Sequence, residues 1–93
     1  MEVIYKITYH SFVVKEDIPK LGEFDRKRIK SAIEQKLAIH PDIFGVPLRR
    51  SLKGHRKLRV GDYRVVFKIV GKQILILAIR HRSDVYERIF KRV

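Results

Sequence analysis

The chain holds no cysteine and no tryptophan, and only one methionine and three prolines in 93 residues. Without cysteine there is no disulfide and no thiolate-held metal. No apolar run nears the ~20 residues that cross a bilayer as a helix. The opening Met1-Glu2-Val3-Ile4-Tyr5-Lys6 has no basic segment ahead of an apolar one, so no secretory leader is expected. A cytoplasmic protein is the default expectation. Acid is scarce as well: ten Asp and Glu stand against 22 Lys and Arg, a formal charge of +12. Such a surface attracts polyanions, whether nucleic acid, ribosome, anionic membrane or an acidic protein.

What is present is a core. Hydrophobic residues make up 45% of the chain, which excludes intrinsic disorder. The length allows one domain, residues 1–93. The positive charge is concentrated: Arg49, Arg50, Lys53, Arg56, Lys57, Arg59, Arg64 and Lys68 crowd the middle of the chain against the single acid Asp62.

Residues 3–9 read as a strand with Val3, Tyr5 and Ile7 on its apolar face. Pro19 suits the first turn of a short helix over Asp17 to Leu21, with Asp17 as its cap. Asp25 to Ile39 is the clearest helix, capped by Asp25 and stapled by Phe24 and Ile29. Ile29, Ile33 and Leu37 follow its buried face, and His40-Pro41 ends it. Residues 42–47 read as a loop. Three strands follow, over about 53–60, 63–70 and 74–80, and Ser83 caps a last helix over 84–91 with Val85, Ile89 and Phe90 inward. The expected fold class is α+β: an N-terminal strand, a helical hairpin, a three-stranded antiparallel meander and a C-terminal helix, with helices on one face of a four-stranded sheet.

A two-residue loop at Gly61-Asp62 pairs Val60 with Tyr63, Arg59 with Arg64, Leu58 with Val65 and Lys57 with Val66. Both strands then agree on a wet face of His55, Lys57, Arg59, Arg64 and Lys68. For the next hairpin, a two-residue loop would face Arg80 onto the core side, which costs several kcal/mol for an unpaired charge. A three-residue loop, Gly71 to Gln73, aligns Arg80 with Arg64 and sends Leu75, Leu77 and Ile79 inward. Lys57, Arg59, Arg64 and Arg80 then cluster beside an apolar strip of Val66, Ile76 and Ala78. The last helix can cover that strip and bring Tyr86 toward the cations. Like charges on adjacent strands repel by roughly 0.2–1 kcal/mol per pair, so stacked arginines point to an anionic ligand.

The stretch LRRSLKGHRKLRVGDYRVVF, Leu48 to Phe67, resembles the central signature of the RelE/ParE toxin superfamily, and IRHRSDVY, Ile79 to Tyr86, its C-terminal signature. The order of elements is similar too. This resemblance implies a toxin of a type II toxin–antitoxin pair with a RelE-like fold. RelE-type members cut messenger RNA in the ribosomal decoding site, and ParE-type members poison DNA gyrase without catalysis. By the RelE pattern, the resemblance implies active residues at Lys57, Arg64, Arg80 and Tyr86. A further family lysine falls on His55 here.

Metal-independent RNA cleavage needs a base for the 2′-hydroxyl, charge on the phosphorane oxygens and an acid for the leaving oxygen. Arg64 and Arg80 suit the phosphate, because guanidinium grips it with two bonds. Lys57, Tyr86 and His55 are the candidates for proton transfer. Arg49, Arg50, Lys53, Arg56, Arg59 and Lys68 suit contacts that hold the RNA backbone without reading it. His81 points to the other face as a structural residue. No cofactor and no metal site is expected. The implied partners are ribosome, messenger RNA and a small acidic antitoxin that carries the pair to its own operator DNA. The alternatives are a ParE-like gyrase poison and a basic nucleic-acid-binding module without catalysis.

Overall fold

The computed structural model describes residues 4–48 and 52–92. Strand β1 (Lys6–Tyr9) leads into a helical segment that combines a wide turn over Val13–Asp17 with a tight one over Ile18–Lys20. Helix α1 (Glu23–Ala32) continues through a second wide turn, Ile33–Leu37, and a short helix α2 (Pro41–Phe44) follows. Then come β2 (Val46–Pro47), β3 (Arg56–Val60), β4 (Tyr63–Val70), β5 (Gln73–His81) and helix α3 (Val85–Arg92). The sheet has five strands in the order β1-β5-β4-β3-β2. β1 runs parallel to β5, and the other pairs are antiparallel. The extra strand β2 lies within the expected 42–47 loop.

Strand alternation divides the apolar side chains between two faces. Leu58, Val60, Val65, Phe67, Ile74, Ile76 and Ile79 meet Ile29, Ile33 and Leu37 in the larger core. Each such side chain contributes about 1.5–3 kcal/mol when fully buried. On the opposite face Val66 and Ala78 meet Leu52 and the α3 residues Val85 and Ile89. Helices therefore cover both faces of the sheet, α1 one and α3 the other. Phe90 is exposed rather than inward.

The Gly61-Asp62 hairpin has the expected register at every pair. The next hairpin departs from it. Val70 pairs with Gln73, a two-residue loop with Gly71 at a φ of +60°. A register shift between Val66 and Phe67 then skips Leu77, so Ala78 faces Val66 and Arg80 faces Arg64. The bulge reconciles two demands: a tight turn that glycine favours, and a far end that keeps Arg80 off the core face. Ile74 and Ile76, with Ile79, fill the larger core, and Leu75 and Leu77 do not.

The helix caps also differ. Gly22, not Asp25, precedes α1, and Asp25 instead pairs with Arg28 at 3.2 Å. Phe24 makes no staple; it is 74% exposed under the Arg28 guanidinium. Asp17 makes no cap bond and turns inward to become the one buried acid among the described residues.

Candidate active site

Lys57 lies on β3 across from Val66, and α3 seats Val85 and Ile89 over Val66 and Ala78. One helical turn exposes Tyr86 beside that contact. The Lys57 ammonium donates to the Tyr86 hydroxyl at 2.8 Å and stands 5.5 Å from its ring centroid. Tyr86 remains 36% exposed. The lysine keeps two further N–H groups for an incoming anion.

Two residues along β3, Arg59 is exposed and directly opposite half-buried Arg64. Arg64 is aimed by its own hairpin: Nη1 donates to the carbonyls of Gly61 and Tyr63, each at 3.0 Å. Among the described residues these bonds use Nη1 alone, leaving Nη2 and Nε for a phosphate oxygen. No carboxylate among the described residues pairs with Lys57, Arg59 or Arg64. The open face thus holds three cations and a phenol without a neutralising acid among the described residues.

Arg80 faces Arg64 in register, but its guanidinium belongs elsewhere. It donates to Asp84 through Nη2 and to Asp17 through Nη1, and its side chain is only 10% exposed. The bond to Asp84 holds the Arg80 guanidinium above its usual pKa, although burial opposes this. The same bond holds the Asp84 carboxyl below its usual value, again against burial. Arg80 is a structural cation in this state, not a member of the open cluster. The Asp84 bond spans only four residues and lies within reach of the local pattern; the Asp17 bond spans 63 and does not.

The remaining residues separate into distinct places. His55 is half-buried, with Nδ1 3.3 Å from the Leu52 carbonyl, in a groove lined by Pro47, Leu48, Lys53 and Ile69. Arg56 points to the helical side, donating to the Gly45 carbonyl at 3.0 Å and the Asp42 carbonyl at 3.5 Å, so it ties α2 to β3. Lys53 and Lys68 are exposed. Arg49 and Arg50 lie outside the described residues. His81 accepts the Ser83 N–H at 3.2 Å and stands edge-on to Tyr63, as a turn residue should.

Residues 11–86 match the family model described as the ParE toxin of type II toxin–antitoxin systems. The chain is 39% identical over 54 residues to Toxin RelG of Mycobacterium tuberculosis, an alignment covering 56% of the chain and 62% of that relative. Its fold is similar to the toxin–antitoxin complex RelBE2 of Mycobacterium tuberculosis, with a TM-score of 0.80 and 28% identity over 88% of this chain and 95% of that one. It is also similar in fold to a mutant of E. coli toxin RelE in the free state, with a TM-score of 0.66 and 20% identity over 97% of this chain and 98% of that one. The fold and the matched family model together place this chain among the toxins of type II toxin–antitoxin systems, in the RelE/ParE superfamily.

Proposed function

We propose that this toxin is a ribosome-dependent endoribonuclease that cuts messenger RNA in the decoding site and so stops translation. The observation that carries this reading is the Lys57–Tyr86 contact at 2.8 Å, on the open basic face beside Arg59 and Arg64. It pairs two groups able to exchange protons with two fixed positive charges. In the proposed reaction the 2′-oxygen attacks the adjacent phosphorus and the bond to the 5′-oxygen breaks. The products are a 2′,3′-cyclic phosphate and a 5′-hydroxyl. One member of the Lys57–Tyr86 pair takes the 2′ proton, and the other supplies a proton to the leaving oxygen. Arg64, supported by Arg59, stabilises the charge that grows on the phosphorane. These side chains supply base, acid and charge, so the chemistry proceeds without a metal. His55, Lys53 and Lys68 hold the RNA chain to either side, and Arg80 keeps the site in shape.

The partner is a small acidic antitoxin, a reading supported by fold similarity to a chain from a toxin–antitoxin complex. Its acidic segment folds on the basic toxin, and it carries the complex to its operator DNA. A second reading, a gyrase poison, is favoured by the description of the matched family as ParE toxins. Adding the toxin to translating ribosomes and, separately, to gyrase with supercoiled DNA decides between them. New RNA 5′ ends with untouched gyrase are expected. Gyrase inhibition with intact RNA would replace this reading with the second.

A further inference from the structure

Strand β1 is shorter than the strand it accompanies. Its pairing ends with Tyr9 beside Ile76, followed by a bond from the His10 N–H to the Ile76 carbonyl at 2.9 Å. β5 continues to His81, so among the described residues its outer edge past Ile76 has no strand beside it. Two side chains occupy that edge instead. Asp17 accepts the Ile79 N–H at 2.9 Å, and Arg92 donates to the Leu77 carbonyl at 2.9 Å.

Those two side chains also grip each other. Arg92 donates through both terminal nitrogens to the two Asp17 oxygens, at 2.8 and 2.7 Å. Asp17 has a fully buried side chain, and that of Arg92 is 4% exposed. Glu16 accepts a further bond from Arg92 at 3.1 Å. A carboxylate and a guanidinium thus stand where a peptide of a neighbouring strand would, one accepting and one donating.

The consequence falls on α3. Arg92 is its last residue, and Asp84 directly precedes its first. Asp84 is held by Arg80, which also donates to Asp17 at 3.3 Å. Both ends of α3 are therefore attached to one buried carboxylate on the opposite end of the chain. Eight residues are too few for a helix to hold its shape alone, which takes about 12–15. Its place depends on these ends and on Val85 and Ile89 between them.

We infer that Asp17 and Arg92 are positioning residues for Tyr86: the buried fork between them clamps α3 to the bare edge of β5 and so holds the Tyr86 hydroxyl against Lys57. Neither residue touches the open face. The role of the clamp in cleavage rests on the proposed function; its role in holding α3 does not.

Hydrogen exchange and single-turnover RNA cleavage on translating ribosomes, with Arg92→Gln, test this. Amide protection over residues 85–92 is expected to fall by roughly tenfold or more, while β4 stays protected. The cleavage rate constant falls and ribosome affinity is kept. In a Tyr86→Phe background Arg92→Gln has little further effect on cleavage, because the group it positions is already gone. Should Arg92→Gln unfold the whole chain, Arg92→Lys carries the same comparison, keeping the charge and losing the two-pronged geometry. Equal α3 protection in variant and native protein overturns the clamp, whatever the toxin does to RNA. A full further loss of rate in the Tyr86→Phe background overturns the link to Tyr86. If the native protein cuts no RNA, the proposed function fails, and the exchange comparison still decides the clamp.

Discussion

Lys57 and Tyr86 are 29 residues apart in the chain, and a 2.8 Å hydrogen bond joins them. The bond links the basic face of β3 to a helix that would not stand alone. Packing of Val85 and Ile89 on Val66 and Ala78 sets the distance, so the second, smaller core shapes the site.

The two arginines that face each other across β4 and β5 should behave differently. Arg64→Ala is expected to leave the melting temperature nearly unchanged and to slow RNA cleavage by about 10²–10³, the cost of one lost electrostatic stabiliser. Arg80→Ala is expected to destabilise the fold, because it strips a buried partner from Asp17 and Asp84. Breaking a buried pair from one side costs about 3–5 kcal/mol. Thermal melts of both variants check this; equal stability would return Arg80 to the open cluster.

Leu58 is 4% exposed in the larger core. Leu58→Ala should lower the unfolding free energy by ~2–5 kcal/mol in urea titrations. The loss should appear without any change in end chemistry of whatever RNA the surviving folded protein cuts.

Acid should act on the start of α3. Asp84 has a depressed pKa, chiefly through the bond from Arg80. A depressed carboxyl adds stability above its unfolded value of about 3.9, and that stability is lost as pH falls through the folded value. The part of the unfolding free energy contributed by this pair, read as the difference between native protein and Asp84→Asn, should therefore hold above about pH 5 and shrink below about pH 4. Asp84→Asn should be less stable at neutral pH and show a shallower acid fall. Parallel curves for the two proteins would mean that the pair contributes nothing.

RNA binding should weaken steeply with salt, because each phosphate contact releases counterions. A log–log slope of about −0.7 per contact on single strands is expected. Replacing Arg59 with Ala should reduce that slope by about one contact, across all RNA sequences alike.

Much of this was legible in the residues. The Gly61-Asp62 hairpin followed from a two-residue turn together with alternation, because that register gave both strands the same wet face and put Leu58, Val60 and Val65 on the other. Covering of Val66 and Ala78 by the last helix followed from their being apolar on a wet face, whereas Ile76, expected in the same strip, lies in the larger core because the bulge shifts the register. The bulge at Leu77 was not legible, because a two-residue and a three-residue loop each satisfied half of β5, and only a skipped residue satisfied both. The buried role of Asp17 was not legible either. Its partners Arg80 and Arg92 are 63 and 75 residues away, and Asp17 before a prolyl turn looks locally like any cap. The hairpin register placed Arg80 on the open face beside Arg64, but register fixes only the face from which a side chain starts; the long guanidinium turns to Asp84, four residues on, and to distant Asp17.

The central claim is that the Lys57–Tyr86 pair performs proton transfer in RNA cleavage. Single-turnover cleavage on translating ribosomes, with chemical identification of the new ends, tests it most directly. Native protein should leave 2′,3′-cyclic phosphate and 5′-hydroxyl ends, and Tyr86→Phe should cut about 10²–10⁴ more slowly with ribosome affinity unchanged. Cleavage by Tyr86→Phe at the native rate, or ends bearing a 5′-phosphate, would contradict it.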